Sequence, residues 1–490
     1  MIKETLLVLI VTISGCSTNY IVHSTRNISN SCHATPSNNC HQVEKSKEVV
    51  ALFLDGTDNN LNADTNVSRL YHKVKSQNIA NLHTYYGEGV GVGWKYIGAG
   101  SGWGLDTDVA EAYAFLSYFY EQDKSDIYIF GFSRGAYTAR VLTGMIYTFG
   151  IYDLSEYSES ERIKLSKKLY TLYKKGNKFE EPPADFSTNN VHTLSKCRHR
   201  DVSDIVDEAA KLKEFHSRSC EDLNVKIRFM GLFDTVEALG VVPTGRAISR
   251  HFGADNTPNV IFPNDRYIDQ VCNIEKVYHA LSLDDNRGHL FVPISINSEN
   301  THWRCSGFEK QYLANSEVKE VWFSGAHSDV GGGYLASDNG GEGYEYLDLG
   351  LSGYAANWML SALQNDGIVS DTTKFPENFK ADLHDAENSS LMYEEFPRNL
   401  VFEQYLRTTK MNRFLIHPSA IKRVELTGYA KESTIKPYSR KVEFGHFNEY
   451  GFDSKWYSSS TFEDCFEIEG VNVNFLEDSK CSVIERYAPN

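Results

Sequence analysis

Four short runs of unbroken apolar residues constrain this chain more than anything else in it. Val49-Val50-Ala51-Leu52-Phe53-Leu54 halts at Asp55-Gly56-Thr57. Asp126-Ile127-Tyr128-Ile129-Phe130 halts at Gly131, Val225 to Phe233 at Asp234, and Val321-Trp322-Phe323 at Ser324-Gly325. A strand with one wet face alternates apolar and polar residues. A strand that is apolar throughout is covered on both faces, as in parallel sheets. Helical patterns separate the runs. Residues 108–121 place Val109, Tyr113, Leu116 and Phe119 at three- and four-residue spacing. Residues 134–148 follow the second strand directly, 160–175 read as a Lys-rich surface helix, and 347–364 follow the last strand. This alternation predicts an α/β fold: a doubly wound, mostly parallel sheet, with 151–220 as a helical cap insertion.

Composition narrows the function classes. At 490 residues the chain is one large domain with insertions, or two. Apolar residues at 41% and charged residues at 23% are ordinary globular usage, which excludes a wholly disordered chain or a coiled coil. A net charge of −16 with no basic run excludes a nucleic-acid binder, which needs clustered cations to displace counterions.

The first residues, MIKETLLVLIVTISGCSTNY, differ from the rest. Leu6 to Ile13 is too short an apolar run to span a bilayer, so a signal peptide over 1–15 is expected. Ile13-Ser14-Gly15-Cys16 reads as a bacterial lipobox with Cys16 as the lipidated residue, and 16–46 as a flexible tether. The expected location is the cell envelope, on the outer membrane because Ser17 is not the Asp linked to inner-membrane retention. Subtracting Cys16 from nine cysteines leaves eight, which suits an oxidising compartment. Sequence order suggests Cys32–Cys40, Cys197–Cys220, Cys272–Cys305 and Cys465–Cys481, among many connectivities. Residues 47–365 are read as the catalytic domain and 366–490 as a C-terminal extension packed on it or completing it.

The sharpest local feature is Gly131-Phe132-Ser133-Arg134-Gly135, entered by an apolar strand and left by a helix. That context makes it a nucleophile elbow. Ser133 stands on a tight turn, and Gly131 and Gly135 remove side chains where strand and helix cross. A serine hydroxyl needs a base, and the base needs an orienting acid. Asp234, ending the third run, and His327, just past the fourth, occur in the right order. Asp329 is an alternative acid, and His279, inside an apolar pattern read as helical, a rival base. The oxyanion needs two amides: Arg134, and Gly56 or Thr57 in the loop after the first run. Asp55, Asp58, Asn59 and Asn62 in that loop are hard oxygen ligands, which leaves a minor metal-site reading open, with Asp55 also an alternative acid/base. Residues 87–104 hold eight glycines but neither GxGxxG nor GK[ST], so phosphate cradling is unsupported. The segment reads as a loop over the site or a plain linker. No motif calls for a cofactor.

FLDGT, GFSRGAYTAR, GLFDTVEALG, HALSLDDNRGHLFVP and VWFSGAHSDVGGGY follow one another in that order. Together they resemble the catalytic domain of the type VI secretion phospholipase effectors, over residues 48–365 and extending to IHPSAIKRVELTGY at 416–429. The resemblance implies an α/β-hydrolase fold, a lipid or phospholipid substrate, esterase or phospholipase A activity, and a Ser133–Asp234–His327 triad with Asp329 as a substitute acid. Such effectors are delivered proteins, whereas this chain reads as membrane-held through an N-terminal lipid. Protein partners are not indicated. Two other readings stay open: a non-catalytic envelope lipoprotein that keeps the fold, and a metal-dependent phosphoesterase using Asp55, Asp58, His327 and Asp329.

Overall fold

The computed structural model describes residues 20–24, 47–89 apart from 58, 78 and 80, 104–176, 209–236 apart from 213 and 217–219, 273–285, 317–334, 350–381 apart from 380, 414–420, 441–448, 451–461, 466–469, 472–475 and 484–486. The central strands are β1 (Tyr20–Ser24), β2 (Glu48–Leu54), β3 (Leu82–Gly87), β4 (Ser125–Phe132), β5 (Ile227–Phe233), β6 (Ile274–Ser282), β7 (Glu317–Phe323) and β8 (Phe414–Ile416). Two hairpins follow in sequence, β9 (Lys441–Asn448) with β10 (Gly451–Thr461) and β11 (Phe466–Glu469) with β12 (Asn472–Phe475), then β13 (Ile484–Arg486). The sheet has nine strands in the order β1-β3-β2-β4-β5-β6-β7-β8-β13, all parallel except β1.

The four apolar runs lie in β2, β4, β5 and β7. Alternate residues of one strand serve different cores. Val50, Leu52, Ile127 and Ile129 pack with α2 (Leu105–Phe119), α3 (Arg134–Phe149) and α4 (Glu159–Gly176). Ala51, Phe53, Tyr128 and Phe130 pack with α1 (Asn66–Lys75) and a second helix on that face, Gly350–Asn365. Val50, Ala51, Leu52 and Phe53 have no exposed surface, which is why no polar position interrupts the run. A one-turn helix, α5 (His327–Gly331), follows β7, and Gly350–Asn365 is α6.

Two expectations need correction. Tyr20–Ser24 is not tether: it is an antiparallel edge strand on β3, with Tyr20 opposite Gly87. The Tyr20 ring stacks on Tyr85 at 5.4 Å and its hydroxyl donates to Glu159, so packing against the sheet edge outweighs the polar surroundings in sequence. His279 is not helical: it sits in β6, between strands β5 and β7. Of the expected cap, α4 is described. Most of 177–219, the 90–103 segment, Asp58 and every cysteine except Cys220 lie outside the described residues, and with them the disulfide pairings.

Candidate active site

Parallel strands deliver their carboxyl ends to one rim, and the chain's reactive residues arrive there from four of them. Ser133 follows β4 directly at φ 56, a left-handed conformation that a side-chain-bearing residue adopts only when its surroundings impose it. The surroundings are backbone. A Cβ at Gly131 would stand 2.5 Å from Ala136 Cα, and one at Gly135 2.1 Å from the Leu54 carbonyl oxygen. Strand, turn and helix are pressed together until only glycine fits, and the Ser133 amide donates to the Phe233 carbonyl at 3.0 Å.

That bond sets Ser133 beside the end of β5, where Asp234 is the next residue. Asp234 is fully buried, at φ 41. Its Oδ2 lies 2.5 Å from His327 Nδ1 and also accepts from Ser282 Oγ at 3.1 Å, while Oδ1 accepts from the Ser282 amide at 3.0 Å. Three contacts fix the carboxylate, and the carboxylate fixes the imidazole face. The His327 ring also packs on Phe132, the residue before Ser133, with centroids 4.7 Å apart. The structure therefore brings Asp234 and His327 into contact beside the turn that carries Ser133. The tilted ring contact fixes where the imidazole lies, and Nδ1 bonding turns Nε2 away from the acid.

Asp329 has another task. Its Oδ2 accepts from the Ala326 amide at 2.9 Å, closing the turn that presents His327. His279 is not a second base. The Thr235 amide, an obligate donor, reaches His279 Nε2 at 3.1 Å, so Nδ1 carries the proton and donates to Glu320 Oε1 at 2.9 Å. The pair is buried and braces the turn holding Asp234.

The loop after β2 lies against the elbow: a Cβ at Gly56 would stand 3.1 Å from Ser133 Cβ. The Gly56 amide, however, donates to Asp55 Oδ1 at 2.8 Å, so Gly56 is withdrawn as second oxyanion donor and Thr57 remains. The Arg134 amide opens a 16-residue helix, where amides lack intrahelical acceptors and the helix dipole favours negative charge. Asp55 is neither acid nor base for His327. Its Oδ2 accepts from Thr65 Oγ1 and Tyr86 Oη, each at 2.5 Å, and burial pushes its carboxyl up to about 6 against those bonds. Behind the elbow, burial pushes Asp108 up to about 7 while the Arg134 guanidinium opposes it. Asp55 and Asp329 point to separate structural partners. Among the described residues no group of three or more His, Cys, Asp or Glu is arranged to hold a metal ion.

Sequence reasoning overlooked four residues that shape this rim. Ser282 holds Asp234. Asp284 Oδ2 accepts from the Gly325 amide at 2.7 Å, and Asp285 Oδ2 from the His327 amide at 3.1 Å. Glu320 orients His279. The available signal was Ser282-Leu283-Asp284-Asp285 itself: two acidic residues just past a buried strand.

Residues 47–362 match the family described as "T6SS, Phospholipase effector Tle1-like, catalytic domain". The chain belongs to the Tle1-like family. The match takes in β2 to β7 and most of α6, and so the strand ends that carry Ser133, Asp234 and His327. An uncharacterized protein of Saccharomyces cerevisiae is 28% identical over 261 residues, covering 49% of this chain and 32% of that one. An uncharacterized protein structure from Pseudomonas aeruginosa is 17% identical, with TM-score 0.34, covering 65% of this chain and 46% of that one. A Tle1 effector bound to the VgrG spike of the type 6 secretion system is 16% identical, with TM-score 0.26, covering 64% of this chain and 58% of that one. The Tle1-like chain thus spans under two thirds of these relatives' lengths.

Proposed function

We propose that this protein is a serine hydrolase of lipid carboxylic esters, of phospholipase A type. Membership of a family of phospholipase effector catalytic domains supports the substrate class. The observation that carries the mechanism is the Asp234–His327 contact at 2.5 Å beside the strained Ser133 turn. With Asp234 holding Nδ1, Nε2 of His327 takes the proton as Ser133 Oγ attacks the ester carbonyl. The tetrahedral oxyanion is met by the Arg134 amide at the start of α3 and the Thr57 amide. His327 then protonates the leaving alcohol, and water cleaves the acyl-enzyme by the same route in reverse. Cys16, on this reading, bears the acyl anchor that keeps the enzyme in the cell envelope.

The test is product analysis on defined phospholipids, wild type against Ser133→Ala, with a fluorophosphonate probe alongside. Release of fatty acid and lysophospholipid, and labelling of wild type alone, are expected. A folded Ser133→Ala enzyme with full turnover, or a wild type that ignores the probe, overturns the serine mechanism. Loss of turnover to a chelator with indifference to serine reagents would instead favour a metal-dependent esterase.

A further inference from the structure

The edge strand β1 fixes where the N-terminus meets the body. Tyr20 opens β1 and stands opposite Gly87, the last residue of β3. Gly87 pairs with Leu54, and Leu54 with Gly131. These four residues cross the sheet in one row, at its carboxyl edge, two residues short of Ser133. The chain therefore enters the fold on the catalytic rim and runs away from it, since Ser24 lies opposite His83. Tyr20 is fastened there by its stack on Tyr85 and its bond to Glu159 on α4.

Cys16 precedes Tyr20 by four residues. Fully stretched, four residues reach about 14 Å. The parallel strands run from Glu48 and Ser125 at the far end to Leu54 and Gly131 at the rim, about 20 Å at 3.3 Å per residue. A leash of that length cannot carry the far end of the sheet down to a surface that holds its other end. The net charge of −16 gives the chain as a whole no attraction to anionic lipid, whereas the leash acts at one end of the sheet.

We propose that the acyl anchor at Cys16 holds the domain with its Ser133 rim facing the bilayer, so that esters are taken from the membrane that carries the anchor. This rests on the lipid-ester and lipoprotein reading above. It adds a membrane-facing surface, made of the Tyr20 end of β1, the 55–65 loop and the elbow, and a reason for the strand that replaces the tether.

The experiment uses the full chain, made in a lipoprotein-processing bacterial host and reconstituted in phosphatidylethanolamine–phosphatidylglycerol vesicles with rhodamine headgroups. A fluorescent amino acid is placed at Asn62, exposed in the rim loop, or at Lys124, exposed just before β4 at the far end. Energy transfer to the headgroups should be several-fold stronger from 62 than from 124. Cys16→Ser should abolish transfer from both. A 20-residue Gly-Ser insertion after Thr18 should keep the protein on vesicles and erase the difference. Equal transfer in the unmodified chain, stronger transfer from 124, vesicle binding that survives Cys16→Ser, or a difference that survives the insertion each overturns the proposal. Hydrolysis of a soluble short-chain ester is followed in parallel and should be unchanged by Cys16→Ser. Its absence in wild type would sink the hydrolase reading, while the transfer ratio still decides orientation.

Discussion

Replacing His279 tests whether the rim depends on a brace that touches no substrate. The ring and Thr235 are fully buried, and the Thr235 amide donates to Nε2 at 3.1 Å. His279→Asn puts an amide where Nδ1 stood, so a donor to Glu320 survives, but Thr235 loses its acceptor. A buried donor left unmet costs about 1–3 kcal/mol. Asp234 sits at φ 41, a conformation of the kind that costs about 1–3 kcal/mol to hold. With its neighbour released, the turn relaxes and the fraction of enzyme with Asp234 under His327 falls. At about 1.4 kcal/mol per tenfold, kcat should drop roughly 10- to 100-fold with KM little changed. His279→Gln places Oε1 near the old Nε2 and restores the acceptor, so kcat should recover to within about fivefold although the bond to Glu320 is lost. The assay is kcat and KM on a soluble short-chain ester, beside urea unfolding of each variant. An Asn variant with wild-type kcat and only lowered stability refutes the brace, as does a Gln variant no better than Asn.

Asp234→Asn should keep the fold, because the Ser282 amide at 3.0 Å still finds an acceptor, yet lower kcat by about 10⁴-fold by no longer holding the productive imidazole tautomer; circular dichroism and turnover together check it. Gly135→Ala gains roughly 1 kcal/mol of helix propensity but puts a methyl 2.1 Å from the Leu54 carbonyl oxygen, where only backbone can yield. A net loss of at least about 3 kcal/mol in urea unfolding is expected, and a stabilised variant would contradict the packing. Burial lifts Asp55 from 3.8 to about 6, so between those pH values the folded state keeps a proton that the unfolded chain has lost. That contribution weakens folding as pH rises through the window, by about 3 kcal/mol in all. Asp55→Asn should remove it: the stability of the variant relative to wild type should improve by that order between pH 4 and pH 7, and a flat difference would refute the buried-charge account.

Sheet strands wrapped on both sides announce themselves residue by residue, so β2, β4, β5 and β7 were legible, and so was the elbow, whose strand, glycines and helix are contiguous. Asp234 and His327 could be picked out because each directly follows such a strand. What connects distant strand ends was not legible. Ser282, Asp284 and Asp285 act on Asp234, Gly325 and His327, partners 40 or more positions away, and no local pattern encodes such a bond. His279 misled because Val277-Tyr278-His279-Ala280-Leu281 suits a buried strand as well as a helix, and only the neighbouring β5 and β7 decide. Tyr20–Ser24 was hidden for a related reason: five residues at a sheet edge owe their conformation to β3, not to themselves.

Asp234 receives its three bonds from Ser282 and His327, on segments that begin only after β5 is complete. A ribosome could release the chain through the elbow and beyond without producing any fragment able to cut an ester. On the proposed mechanism, such late completion would act as a safety catch for a protein made inside a cell whose own membranes contain its proposed substrate. On that mechanism competence comes only when β6 and β7 have joined the sheet, and parallel pairing between distant segments is slow.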